Sequence, residues 1–142
     1  GSEDPECDER IFVDPDNWDE NFTEQWKTQV LRQAQRYPNL PISNNVKGVV
    51  SLYDVTDDWI PIYDKSDLPG FYMAIGTSGN QFKNAPVAGV LMSELIEYCE
   101  NGNNHDTEPL TINLKYINKD INLKFYSRNR QINEESSMSV LG

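Results

Sequence analysis

The stretch Gly70-Phe-Tyr-Met-Ala-Ile-Gly-Thr-Ser-Gly-Asn-Gln-Phe-Lys-Asn-Ala-Pro86 decides how this chain folds. Phe71 to Ile75 is apolar throughout, which predicts a short strand covered on both faces. Gly76 and Gly79 then open a turn, because glycine enters positive φ readily and lets a neighbour approach the backbone. Asn84 can cap a helix, and Pro86 suits a first turn, where a missing N–H costs nothing. That helix runs from Ala85 to about Glu100. Its apolar face, from Val87 to Cys99, is wide enough that we expect it to be the most buried element. Gly89 inside it costs roughly 1 kcal/mol relative to Ala and points to close backbone packing. Asn101-Gly102 ends it.

A strand, turn and helix in this order leave backbone N–H groups at a helix N-terminus, a ready place for an anion or an electron-rich ring oxygen. Lys83 stands at its edge with a mobile positive charge. Many α/β turns of this kind hold nothing, so the pattern alone does not assign a ligand. Nucleotide motifs do not fit. A P-loop requires GxxxxGK[ST], and no GxG occurs anywhere in the 142 residues.

Working outward, residues 1–20 are acidic and proline-rich and read as irregular, and 133–142 read as frayed. Asn21 and Glu24 are spaced like a cap and its N3 acid, opening a helix to about Tyr37 with Phe22, Trp26, Val30 and Ala34 on one face. Pro38 to Asn45 is a connector. Val46 to Val55 predicts a strand, Trp59 to Tyr63 a second, and Asp64 to Asp67 an acidic loop. Leu110–Leu114 and Ile121–Phe125 predict a hairpin around Asn118-Lys-Asp120. The expected fold class is α+β, with two main helices and a small set of strands in one domain or fragment spanning 1–142.

The chain carries a net charge of −11, which argues against nucleic acid or an anionic membrane as partner. Cys7 and Cys99 are too few for a disulfide framework or a metal cluster, and no metal site is expected. With no signal peptide and no apolar run of ~18 residues, a cytoplasmic setting is expected. His105, the only histidine, lies in the polar stretch Asn101 to Thr107 and reads as a surface loop residue. Asp14 to Glu20 lacks the glycine and terminal glutamate of a calcium loop and reads as solvated.

The block Gly48-Val-Val-Ser-Leu-Tyr-Asp-Val-Thr-Asp-Asp-Trp-Ile-Pro-Ile62, followed by Leu68 to Lys83, closely resembles the C-terminal region of FAD-dependent amino-acid oxidoreductases. This is the D-amino-acid oxidase, sarcosine oxidase and glycine oxidase group, whose pattern is G-x-Y-x-x-T-P-D-x-x-P-I, a loop, then P-G-L-Y-x-A-x-G-x-S-G-x-G-x-K. Leu123 to Ile132 resembles the same family's C-terminal ending. The departures are Asp57 for Pro, Asn80-Gln81 for His-Gly, and Ser51 where some members carry a flavin-tethering cysteine. The βαβ dinucleotide-binding half of the family has no counterpart among these residues.

The resemblance implies the C-terminal, flavin- and substrate-facing portion of an enzyme that oxidises an amine or amino acid by hydride transfer to flavin. Gly76, Thr77, Ser78, Gly79, Asn80, Gln81, Phe82 and Lys83 would face non-covalent FAD, with backbone N–H groups of Ser78 to Lys83 pointing into open space. Lys83 and Tyr53 would be the catalytic residues, the first near flavin and substrate, the second lining the amine cavity. Asp54, Asp57 and Asp58 read as turn and cap residues beside it. The implied partners are an upstream dinucleotide-binding half and a small amine or amino-acid substrate, and a homo-oligomer stays open. FAD binding by this chain alone should be weak or absent. The other reading is a non-catalytic acidic interaction module that reuses the same fold piece.

Overall fold

A computed structural model describes residues 13–43, 45, 47–79 and 81–135. The chain divides into two compact units, Gly1–Leu52 and Tyr53–Gly142.

The first unit is built on helix α1, Glu24–Ala34. Its cap is Thr23, whose hydroxyl accepts from the Trp26 N–H at 3.0 Å. Asn21 instead donates to the Asp19 carboxylate, so the helix starts later than its sequence spacing predicts. Trp26 and Phe22 stack with ring centroids 4.8 Å apart. Gly48 lies against them, since a Cβ there would come within 2.8 Å of the Trp26 ring. The expected strand 46–55 does not form. Val46 lies outside the described residues, and 47–55 have no regular structure. A strand needs a ladder partner, and the backbone of this segment has another use, described below.

The second unit holds two antiparallel hairpins and one long helix. Strand β1 is Ile62–Lys65 and pairs with β2, Tyr72–Ile75, in the register Ile62↔Ile75 to Lys65↔Tyr72. β1 begins later than Trp59 because Trp59 adopts φ 61° and Asp58 caps the Ile60 N–H at 3.1 Å, which makes a turn of that segment. Asp64 and Lys65 belong to the strand, not to a loop. Helix α2 is Ala85–Glu100, preceded by a 3₁₀ turn over Phe82–Asn84. Asn84 occupies its cap position, but the side chain makes no capping bond and donates to Gln81 Oε1 at 3.0 Å. Pro86 is in the first turn, and Gly102 with φ 89° follows the Asn101 C-cap. Strands β3, Thr111–Leu114, and β4, Lys119–Asn122, form a hairpin, but its second strand is displaced from the expected Ile121–Phe125. Lys119 and Asp120, expected in the turn, pair with Leu114 and Asn113, and Leu123–Tyr126 form a 3₁₀ turn instead of continuing the strand.

The core joins Tyr63 of β1, Leu91 and Leu95 of α2, Ile112 of β3 and Leu123 after β4. Fully burying each leucine contributes about 1.5–3 kcal/mol. Two expectations about burial fail. β2 is not covered on both faces, since Ala74 and Ile75 are exposed and none of its residues is fully buried. α2 buries only Leu91 and Leu95 completely, while Val87, Val90 and Ile96 are exposed. A Cβ at Gly89 would meet nothing within 4 Å, so no close packing explains that glycine. One helix on a pair of short hairpins can be covered along only one stripe.

Candidate functional site

The turn after β2 is organised by Asp54. Its carboxylate accepts from the Gly76 N–H and, at 2.6 Å, from the Thr77 hydroxyl, while its carbonyl accepts from the Ser78 N–H at 2.8 Å. This is the backbone use that replaces the expected strand. Burial raises the Asp54 carboxyl, but the bonds from Thr77 and Gly76 outweigh it and leave the group below its usual range. Gly76 at φ 69° and Ser78 at φ 50° hold left-handed conformations. A Cβ at Gly76 would collide with the Thr56 methyl, so this glycine serves close packing inside the turn. Ser78 is buried and bonds back to the Gly76 carbonyl at 3.2 Å. The expectation that the Ser78 N–H points into open space is therefore not met. Asn80 lies outside the described residues.

Beyond the turn the surface opens. Phe82 is 98% exposed, Lys83 is exposed, and Gln81 is half-buried, accepting from the Tyr63 hydroxyl at 3.2 Å. No acidic residue occupies the first turn of α2. The positive end of its dipole is thus not neutralised locally, and Lys83 adds to it. Between the helix start and the 3₁₀ turn after β4 lies a cleft of about 200 Å³, walled by Tyr63, Phe125, Tyr126 and Val87, with Gln81 and Asn84 as polar groups. Tyr53 is on the surface, next in the chain to Asp54.

Measured against an anionic ring edge, the two halves of the segment differ. The Gly76 and Ser78 amides are engaged by the Asp54 carboxylate and carbonyl and are not spare donors. The start of α2, with Lys83 beside it, has the charge and exposure such an edge requires.

Two polar clusters that the sequence did not reveal tie the unit together. Asp58, fully buried, accepts from Arg130 Nε at 2.9 Å and Nη2 at 2.6 Å across 72 residues of chain. Those bonds hold its carboxyl at about 2. Its cap on Ile60 agrees with the turn-and-cap reading. Asp64, also fully buried, accepts from the Ser127 hydroxyl at 2.9 Å and the Arg128 N–H at 2.8 Å. Arg128 also reaches Asp67 and Asp106. His105 belongs to this second cluster. It is buried, not a surface loop residue, because the 101–110 loop folds back beneath Asp64.

The described residues carry no group of three or more His, Cys, Asp or Glu arranged to hold a metal ion. No helix among them is long and apolar enough to cross a membrane. The described residues form a small α+β fold with two α-helices and two antiparallel hairpins. Comparison with family models, curated proteins and solved structures gave no match.

Proposed function

We propose that this chain is the C-terminal, flavin- and substrate-facing portion of an FAD-dependent oxidoreductase acting on an amine or amino acid. The two sequence blocks quoted above support the reading. The observation that carries it is the start of α2, where Phe82 and Lys83 stand exposed before a helix whose first turn carries no acid. When bound, FAD supplies the hydride acceptor, so no protein nucleophile is required. Lys83 holds a positive charge where a ring anion or a substrate carboxylate would lie. Tyr53 offers a phenol to the amine cavity. The Asp54 bonds make Gly76 to Ser78 a brace that sets the direction of Gln81 to Lys83, and contact with the ring is left to the latter. With Ser51 in place of a tethering cysteine, attachment is non-covalent. The proposed setting is the cytoplasm, and the proposed partner is a polypeptide carrying the dinucleotide-binding βαβ unit.

One observation favours the alternative of a non-catalytic acidic interaction module: the Gly76 and Ser78 amides of the glycine turn are already engaged. Flavin titration separates the two. The chain alone should retain no FAD after desalting, because one edge of the ring offers little contact against the cost of association. Together with the dinucleotide-binding half it should retain FAD and bleach it on addition of an amine substrate. Lys83→Met should then impair turnover more than flavin retention. Failure of the reassembled pair to hold FAD would overturn the oxidoreductase reading.

A further inference from the structure

We infer that His105 is an acid-operated clasp between the loop after α2 and the first residue before β3. The side chain is 1% exposed. Its Nδ1 accepts a hydrogen bond from the Leu110 N–H at 3.2 Å. An acceptor nitrogen carries no proton, so the hydrogen-bond pattern assigns the neutral imidazole with its proton on Nε2. Nε2 lies 3.9 Å from Asp64 Oδ1, beyond hydrogen-bond range, and has no partner among the described residues.

The consequence follows from where a second proton must go. Only Nδ1 can take it, and it would then present a donor to the Leu110 donor across 3.2 Å. The clasp bond would be lost and a half-buried amide left unpaired. The same Leu110 residue accepts from the Leu123 N–H at 2.8 Å through its carbonyl, so the clasp acts at the joint that anchors both ends of the β3–β4 hairpin.

The groups facing the ring are Asp64 and Lys65 from β1, Cys99 from α2, Asp106 from its own loop and Arg128 from the C-terminal segment. Burial is the dominant influence and disfavours the imidazolium. Asp64 and Asp106 oppose it, and Lys65 and Arg128 reinforce it, leaving the ring below its ordinary value. A histidine depressed in the folded state contributes its full stability above the unfolded value of about 6.5. That stability is lost as pH falls from there towards the folded value.

The test is urea unfolding and amide exchange between pH 7.5 and 5, on the wild type and His105→Gln. Glutamine can accept the Leu110 bond through its amide oxygen and does not titrate. For the wild type, the unfolding constant should rise as pH falls below about 6.5, by at most about tenfold per pH unit for this one proton. Leu110 amide protection should fall in parallel, and H105Q should lack both effects. Asp58 and Asp106, both at about 2, titrate well below this window. Parallel pH profiles for the two proteins would overturn the inference. Because His105 is the only histidine, its ring resonance can be followed directly in the wild type. A ring that titrates at or above 6.5 overturns the clasp even if H105Q does not fold.

Discussion

Replacing Asp58 with alanine should destabilise the second unit by about 3–5 kcal/mol, the cost of breaking a buried ion pair from one side. The carboxylate is 1% exposed and receives the Arg130 fork, the Ile60 N–H and, at 3.3 Å, the Thr56 hydroxyl. Its depression from 3.8 to about 2 is led by the Arg130 bond. At 1.36 kcal/mol per pKa unit, the ionised form gains about 2 kcal/mol from the folded environment. Alanine forfeits that and also leaves the guanidinium of Arg130, only 11% exposed, without its counter-charge. The remainder of the expected loss comes from this stranded cation. Asn at the same position keeps the shape and one acceptor but leaves the same buried cation uncompensated, so Asp58→Asn should also lose about 3 kcal/mol, the lower end of that range. For the wild type, the carboxylate's contribution is present above the unfolded value near 3.9 and disappears as pH falls towards about 2. Urea denaturation at pH 7, followed by circular dichroism, measures the difference. An Asp58→Ala protein within about 1 kcal/mol of wild type would refute the view that this pair fastens the C-terminal segment.

Gly76→Ala should lower stability by about 2–4 kcal/mol, because the side chain meets both a left-handed backbone and the Thr56 methyl; thermal unfolding of the purified variant checks this, and a neutral result would mean the turn relaxes freely. Gly89→Ala should raise stability by about 0.5–1 kcal/mol, since the added methyl meets open space and the helix gains propensity. A loss in urea unfolding would reveal packing on that face that the present contacts lack.

Helix α2 was legible to its last residue because everything that defines it is local: Pro86 in the first turn, an apolar stripe at helical spacing, and Asn101-Gly102 at the end. The β3–β4 hairpin was legible as two extended pieces about a polar turn, but its turn and second strand lie earlier in the chain than the sequence placed them. Where a local signal had a close competitor, boundaries moved. Thr23 displaced Asn21 as the cap of α1, and the Asp58 cap on Ile60 turned the start of β1 into a loop.

The sequence by itself determined the α+β class, the strand–turn–helix order around Gly76 and the resemblance that motivates the flavin proposal. Only the tertiary structure decided which polar side chains are buried and what they hold. Asp58 and Arg130 are 72 positions apart, and Asp64 meets Ser127 and Arg128 across 63 and 64. His105 looks like a loop residue until the chain folds over it. Periodicity reports which side of one element faces inward. It carries no record of which distant carboxylate will neutralise an arginine, nor of which amide a buried imidazole will accept. Those choices depend on partners brought together only by the packed chain, and leaving a buried polar group without one is costly enough that the fold must supply it.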